Sequence, residues 1–251
     1  MLNYLKAEFL KYKRTPIKKL FYFVPIMVSL TVVLIMLNSP KSFMEPGAFI
    51  IATSYNWWTV LFMPLSIAFI VGLASVMERK AGNYKIFVLR NLSLKGIWMS
   101  KILTISVLML CSVIIFSVLV AASQKVFAGW IATKEIVIST FIIWFGSISL
   151  VPIYLFFGTK FGLAGSILIG FLGSLSGPLT ATEQYWFLNP FSIVIRTLCP
   201  IIKVHPNGVL LPDGDPLITT TSVTMGMISS LIFFLVLSAI TSLWFEKEAV
   251  K

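Results

Sequence analysis

Long uncharged runs alternate with short clusters of charge along the 251 residues. A helix rises about 1.5 Å per residue, so it needs roughly 20 apolar residues to cross a hydrocarbon layer about 30 Å thick. Six runs meet that demand, with spans expected near 20–38, 57–77, 102–124, 136–159, 161–181 and 223–245. Backbone polar groups cannot stay unpaired in lipid, so the runs predict helices; the alternating ten-residue segments of a β-barrel are missing. The expected fold class is an all-α integral membrane protein with six transmembrane helices, forming a single transmembrane domain over 1–251. Pro25, Pro64 and Pro152 fall inside spans and predict kinks.

Three segments outside the runs carry patterns of their own. In the first 15 residues, Leu2, Leu5, Phe9 and Tyr12 share one helical face, with Lys11 and Arg14 away from it. This predicts an amphipathic helix lying in the membrane interface, ended by Pro16. The connection 78–101 mixes apolar Leu89, Leu92 and Leu94 with six cations; Gly82 and Asn83 break it, and Ser93 is placed to cap a short helix running toward the third span. An apolar and basic cytoplasmic surface of this kind suits a partner protein as well as it suits lipid headgroups. The 40 residues from Glu183 to Ser222 are too many for a structureless loop and predict a re-entrant or extracellular excursion between the fifth and sixth spans. Trp186 in its aromatic stretch, and the carboxylates Glu183, Asp213 and Asp215, are the residues there that an outer, cationic ligand would meet.

Composition supports the membrane reading: 58% of residues are apolar and 12% charged, with a mean hydropathy of +0.95, against roughly 25% charge in a soluble domain. The net charge of +11 does not point to nucleic acid, because no soluble module exists to carry a basic face; anionic membrane lipid accounts for it better. Fifteen of the twenty Lys and Arg fall on the side of the amino terminus, the 78–101 connection and the carboxy terminus, and five, including Lys41, on the other. Both termini are therefore expected on the cytoplasmic side. Cys111 and Cys199 lie at different expected depths, so no disulfide is expected.

The catalytic repertoire is thin. No span holds an interior ionisable residue, which disfavours an ion-coupled carrier, and His205 has no second histidine or cysteine beside it with which to hold a metal. The Gly-x-Ser-x-Gly and Walker-type phosphate motifs are missing too. The chain therefore reads as no enzyme, with no catalytic, cofactor or metal residues, and energy for any work on a substrate must come from a partner. Gly158, Gly162, Ser166 and Gly170 recur at steps of four, followed by Gly173 and Gly177, a small-residue ridge for close helix packing within the chain or between subunits.

Taken together, these features resemble the ABC-2 type permeases over the whole chain. Ala7-Glu8-Phe9-Leu10-Lys11-x-Lys13-Arg14 looks like the opening of small permeases of that family. Glu78 with Gly82, then Ser93-x-Lys95 and Lys101, looks like its cytoplasmic loop. The resemblance implies that this loop couples to a separate cytoplasmic ABC ATPase, which uses ATP and magnesium. The coupling helix would map to about 91–100, and Glu78, Gly82, Leu89, Leu92, Ser93, Leu94 and Lys95 would form the interface. Within the family, the size and the opening are most similar to membrane subunits of lantibiotic self-immunity transporters of the nisin and epidermin type. That likeness implies a second six-span permease, unlike or identical, and a peptide substrate. The alternatives are an exporter of another drug, lipid or ion, and a non-transporting membrane protein that sequesters a toxin.

Overall fold

The computed structural model describes residues 2–13, 15–40, 44–82, 84–90 and 92–249. Expectations resting on Arg14, Lys41, Asn83, Asn91 and Lys251 lie outside these residues. In chain order the helices are α1 (Leu2–Tyr12), α2 (Pro16–Asn38), α3 (Pro46–Trp57), α4 (Met63–Lys80), α5 (Lys85–Leu89), α6 (Leu94–Val126), α7 (Thr133–Ser147), α8 (Leu150–Thr180), α9 (Ile193–Ile202) and α10 (Thr221–Ala249). The fold is all-helical among the described residues, apart from one isolated bridge between Val204 and Leu210.

Among the described residues, five stretches are long and apolar enough to cross a membrane: Pro16–Asn38, Pro46–Lys80, Leu94–Val126, Thr133–Thr180 and Thr221–Ala249. Two boundaries differ from expectation. The second helix begins at Pro46 rather than near 57, because the apolar residues from Ala48 continue the helix before the expected span. The expected fourth and fifth spans fall in one stretch, Thr133–Thr180, whose two interruptions have separate causes.

The first interruption lies between α7 and α8, just ahead of Pro152. A proline has no N–H to donate, and its ring clashes with the carbonyl four residues back. The Ile148 carbonyl accepts from the Val151 N–H at 3.2 Å instead, and the last carbonyls of α7, those of Phe145 and Gly146, accept from the Ser230 hydroxyl of α10 at 2.8 and 3.0 Å. Pro64 acts similarly, since the turn before it, Trp58–Phe62, is wound as a π-helix. The second interruption is Gly162, whose φ of 73° and ψ of −160° no other residue type adopts easily. There the chain doubles back: a Cβ placed on Gly170 would lie 3.6 Å from the ring of Tyr154, whereas a straight helix would separate the two residues by about 24 Å.

The doubled α8 packs on α4 through the small-residue ridge. A Cβ on Gly158 would lie 2.9 Å from Ser75 Oγ, one on Gly170 2.7 Å from Ala68, and the Ser166 hydroxyl donates to the Ala68 carbonyl at 2.6 Å. Gly173 and Gly177 instead receive Phe191 from the segment before α9. The ridge is therefore used inside this chain. α10 shows the inverse of a water-soluble helix: it buries Gly226, Ser230, Ser238 and Thr241 and turns Ile228, Ile232, Leu235 and Ile240 outward. Aromatic stacks close the interior at two depths. Trp58 lies on Phe116 (centroids 4.7 Å apart), and Trp98 lies on Phe245 (4.5 Å) while donating Nε1–H to Thr241 Oγ1 at 3.0 Å. Such pairs contribute about 0.5–1.5 kcal/mol beyond the area they bury.

Candidate functional site

The sequence-derived coupling residues gather at the end of the bundle that carries α1, α5 and the close of α10, hereafter the terminal end. The structure divides them into an internal group and a surface group.

Glu78 is internal. Its carboxylate accepts from Lys11 Nζ of α1 at 2.6 Å and from Lys101 Nζ of α6, and Lys11 also donates to Glu8 at 2.7 Å. The side chains of Glu78 and Lys101 are nearly sealed from solvent, so the charges neutralise one another where water does not. Tyr84, in the left-handed region with φ 66°, leans over the cluster with its ring 5.4 Å from Lys101 Nζ and edge-on to Phe245. Burial, reinforced by the Glu78 carboxylate, holds its phenol well above the usual range. A cavity of about 270 Å³ lies against the cluster, lined by Lys11, Met77, Glu78, Ala81, Tyr84 and Phe87.

The same cluster adds an inward tie to α1. Glu8 and Tyr12 are its buried residues, while Leu2 and Phe9 of the expected apolar face are exposed, as side chains facing lipid are. Lys11 reaches inward from this helix to Glu78, a contact that hydrophobic periodicity does not register. Tyr4 adds a second tie, its hydroxyl accepting from the Ser93 N–H at 3.2 Å.

The surface group surrounds α5. Leu89 is 84% exposed, and Val88, Arg90 and Gly82 are exposed beside it. Gly82 has φ 110°, the turn that releases the chain from α4. Ser93 caps α6 as expected, accepting from the Gly96 N–H at 3.1 Å. The helix it caps is not short, however: it runs unbroken from Leu94 to Val126, so the short helix on this surface is Lys85–Leu89 and lies before the expected 91–100 window. Apolar residues follow Leu94 without a breaker, which leaves no physical reason for the helix to stop before the span. Leu92 and Leu94 are half-buried, and Lys95 is exposed in a 3.1 Å pair with Glu246.

At the opposite end, the α9 end, the outer residues also separate. Trp186 is buried, contrary to its expected surface role: its ring lies 6.0 Å from the Arg196 guanidinium and against Gly226, whose missing side chain leaves the slot it fills. Arg196 is itself buried and donates Nη1–H to the Leu217 carbonyl at 2.7 Å. Asp215 caps the turn Pro216–Ile218 by accepting from the Leu217 N–H at 2.8 Å. Glu183 and Asp213 are exposed, the latter 3.1 Å from Lys203. The carboxylates are thus dispersed and do not converge on one site. Both cysteines are free, and burial pushes the Cys199 thiol up to about 11. Sequence reasoning missed Glu8, Tyr84 and Arg196; only the unusual charge of Glu8 within an apolar, basic helix could have signalled one of them.

The family model of the ABC-2 family transporter proteins matches residues 4–177, more than half of the chain. The chain belongs to that family. Neither a curated protein nor a solved structure matches it. Family membership makes this chain the membrane subunit of an ABC transporter, a multi-pass plasma-membrane protein whose ATPase activity resides in partner subunits.

Proposed function

We propose that this ABC-2 subunit is half of the transmembrane pathway of an exporter that removes lantibiotic-type peptides from a bacterial plasma membrane, giving self-immunity or resistance. The other half is a second permease, most simply an unlike one. In this reading α7 together with the first limb of α8 makes one crossing and the second limb another, which gives six crossings, and the excess of Lys and Arg supports a cytoplasmic terminal end. Nucleotide and magnesium stay with the ATPase; no cofactor enters this chain.

The observation that supports coupling at this end is the exposed apolar tip of α5. Leu89 stands 84% exposed beside Arg90, over the buried cluster that joins α1, α4 and α6. An ATPase that grips the tip can pull on three helices at once and bias the permease between two arrangements. Peptide substrate fits the need for an energy source outside the chain and the lack of any intramembrane ionisable relay.

The test is survival of a sensitive bacterium against a panel of lanthionine peptides when the chain is expressed with its ATPase and sister permease. Leu89→Asp is expected to abolish both protection and ATPase co-purification while leaving the level of the membrane subunit unchanged. Full protection with Leu89→Asp would remove α5 from the coupling surface. Protection that survives a Walker-lysine mutant of the ATPase would replace export by sequestration.

A further inference from the structure

The reversal at Gly162 leaves a groove between the two limbs of α8. Its volume is about 430 Å³, and its lining includes Phe157, Phe161, Ala164, Gly165, Leu168 and Leu172. No lining residue is polar. Gly165 makes the concavity, since a Cβ there would fall 2.3 Å from the Cβ of Phe161.

The mouth of the groove is cationic. Lys160 is exposed, and its ammonium lies 5.3 Å from the centre of the Phe161 ring and 5.7 Å from that of Phe156. Arg79 reaches the same point from α4, donating Nη2–H to the Thr159 carbonyl at 2.9 Å and more weakly to that of Lys160 at 3.4 Å. Among the described residues, neither cation takes part in an ion pair. Lys11 and Lys101 at the same end are instead held by Glu8 and Glu78, whereas Lys160 and Arg79 keep their charge unpaired beside an apolar groove.

We propose that the Gly162 hairpin is a binding site for an anionic phospholipid, with an acyl chain in the groove and the phosphate on Lys160 and Arg79. Charge complementarity selects this occupant over a zwitterionic lipid or a protein helix: an uncharged groove with two unpaired cations at one end matches a molecule with an apolar tail and an anionic head. The site is independent of the peptide substrate and of the coupling surface; the orientation proposed above would place it in the cytoplasmic leaflet.

The test uses the full-length chain in nanodiscs, with native mass spectrometry of the lipid it retains. The probes are phosphatidylglycerol and phosphatidylcholine of identical acyl chains. Wild type is expected to retain phosphatidylglycerol preferentially. Lys160→Gln should lower that retention about fivefold, the effect of one cation near a phosphate, without changing phosphatidylcholine, and Lys160→Arg should keep it. Ala164→Phe, which fills the groove, should lower retention of both lipids. Elution volume and far-ultraviolet circular dichroism confirm that each variant is folded. The proposal is overturned by unchanged retention in Lys160→Gln or in Ala164→Phe, or by an equal loss in Lys203→Gln at the α9 end, which would show a response to net charge alone.

Discussion

Each end of the bundle buries a cation, and the two are neutralised differently. At the terminal end Lys101 meets the Glu78 carboxylate, which also holds Lys11, so one cluster ties α6, α4 and α1. At the α9 end Arg196 meets the Leu217 carbonyl and the face of Trp186, all from one stretch of chain between 186 and 226. The first arrangement ties helices that are distant in sequence; the second closes within one neighbourhood of the sequence, which Phe191 and Pro206 then anchor to α8 and α3. The contrast suits a transporter subunit in which force enters at the end where distant helices are tied, and the opposite end responds as a preformed cap.

The largest effect expected from breaking this contrast is at Glu78. Glu78→Gln leaves Lys101 buried without its carboxylate, and loss of one partner of a buried pair costs roughly 3–5 kcal/mol. Thermal unfolding in detergent should show that loss, and adding Lys101→Met should recover the larger part of it, because the stranded charge is then gone. A double variant no more stable than Glu78→Gln would mean that the tie to Lys11, not the burial of Lys101, carries the stability. Arg196→Ala should cost less, about 1.5–3 kcal/mol, the range of a hydrogen bond from a charged group. Its consequence should stay local: limited proteolysis should accelerate between 186 and 217, while protection of α1 and α4 is unchanged. Accelerated cleavage at the terminal end would show that the cap is not self-contained.

What could be read from the sequence follows the same division. The apolar runs declare themselves because transfer of a 20-residue segment into lipid is decided by composition alone, and every observed membrane-length stretch overlaps an expected span. The small-residue ridge was legible for a similar reason, since spacing of four fixes one face within the limb after Gly162, although the reversal at Gly162 itself was not. The partners of the ridge were not legible either, and they proved to be α4 and Phe191 of the same chain. Glu78 was singled out, yet its direction was not, because Lys11 lies 67 residues before it and no periodicity links them. Trp186 misled for a physical reason: an amphipathic ring near a membrane surface looks like an interface anchor, and the slot that buries it is made by Gly226, forty residues further along the chain. The α5 helix was displaced from its expected place because nothing in 94–101 stops a helix that the span continues.

The smallest effect sharpens the comparison, because it concerns a charge pair at the terminal end that is not buried. Lys95 and Glu246 lie 3.1 Å apart and link the start of α6 to the close of α10, the same kind of long-range tie as Glu78 to Lys101. Their side chains are about half exposed, however (51% and 46%), so water already stabilises both charges, and holding two long side chains together costs conformational entropy. Lys95→Ala is expected to change stability by about 0–1 kcal/mol, with the difference vanishing as salt shortens the reach of exposed charges. Unfolding of wild type and variant at low and high salt measures it. A loss of the size seen for Glu78→Gln, insensitive to salt, would show that sequence distance rather than burial makes a tie strong, and would undo the distinction between the two ends.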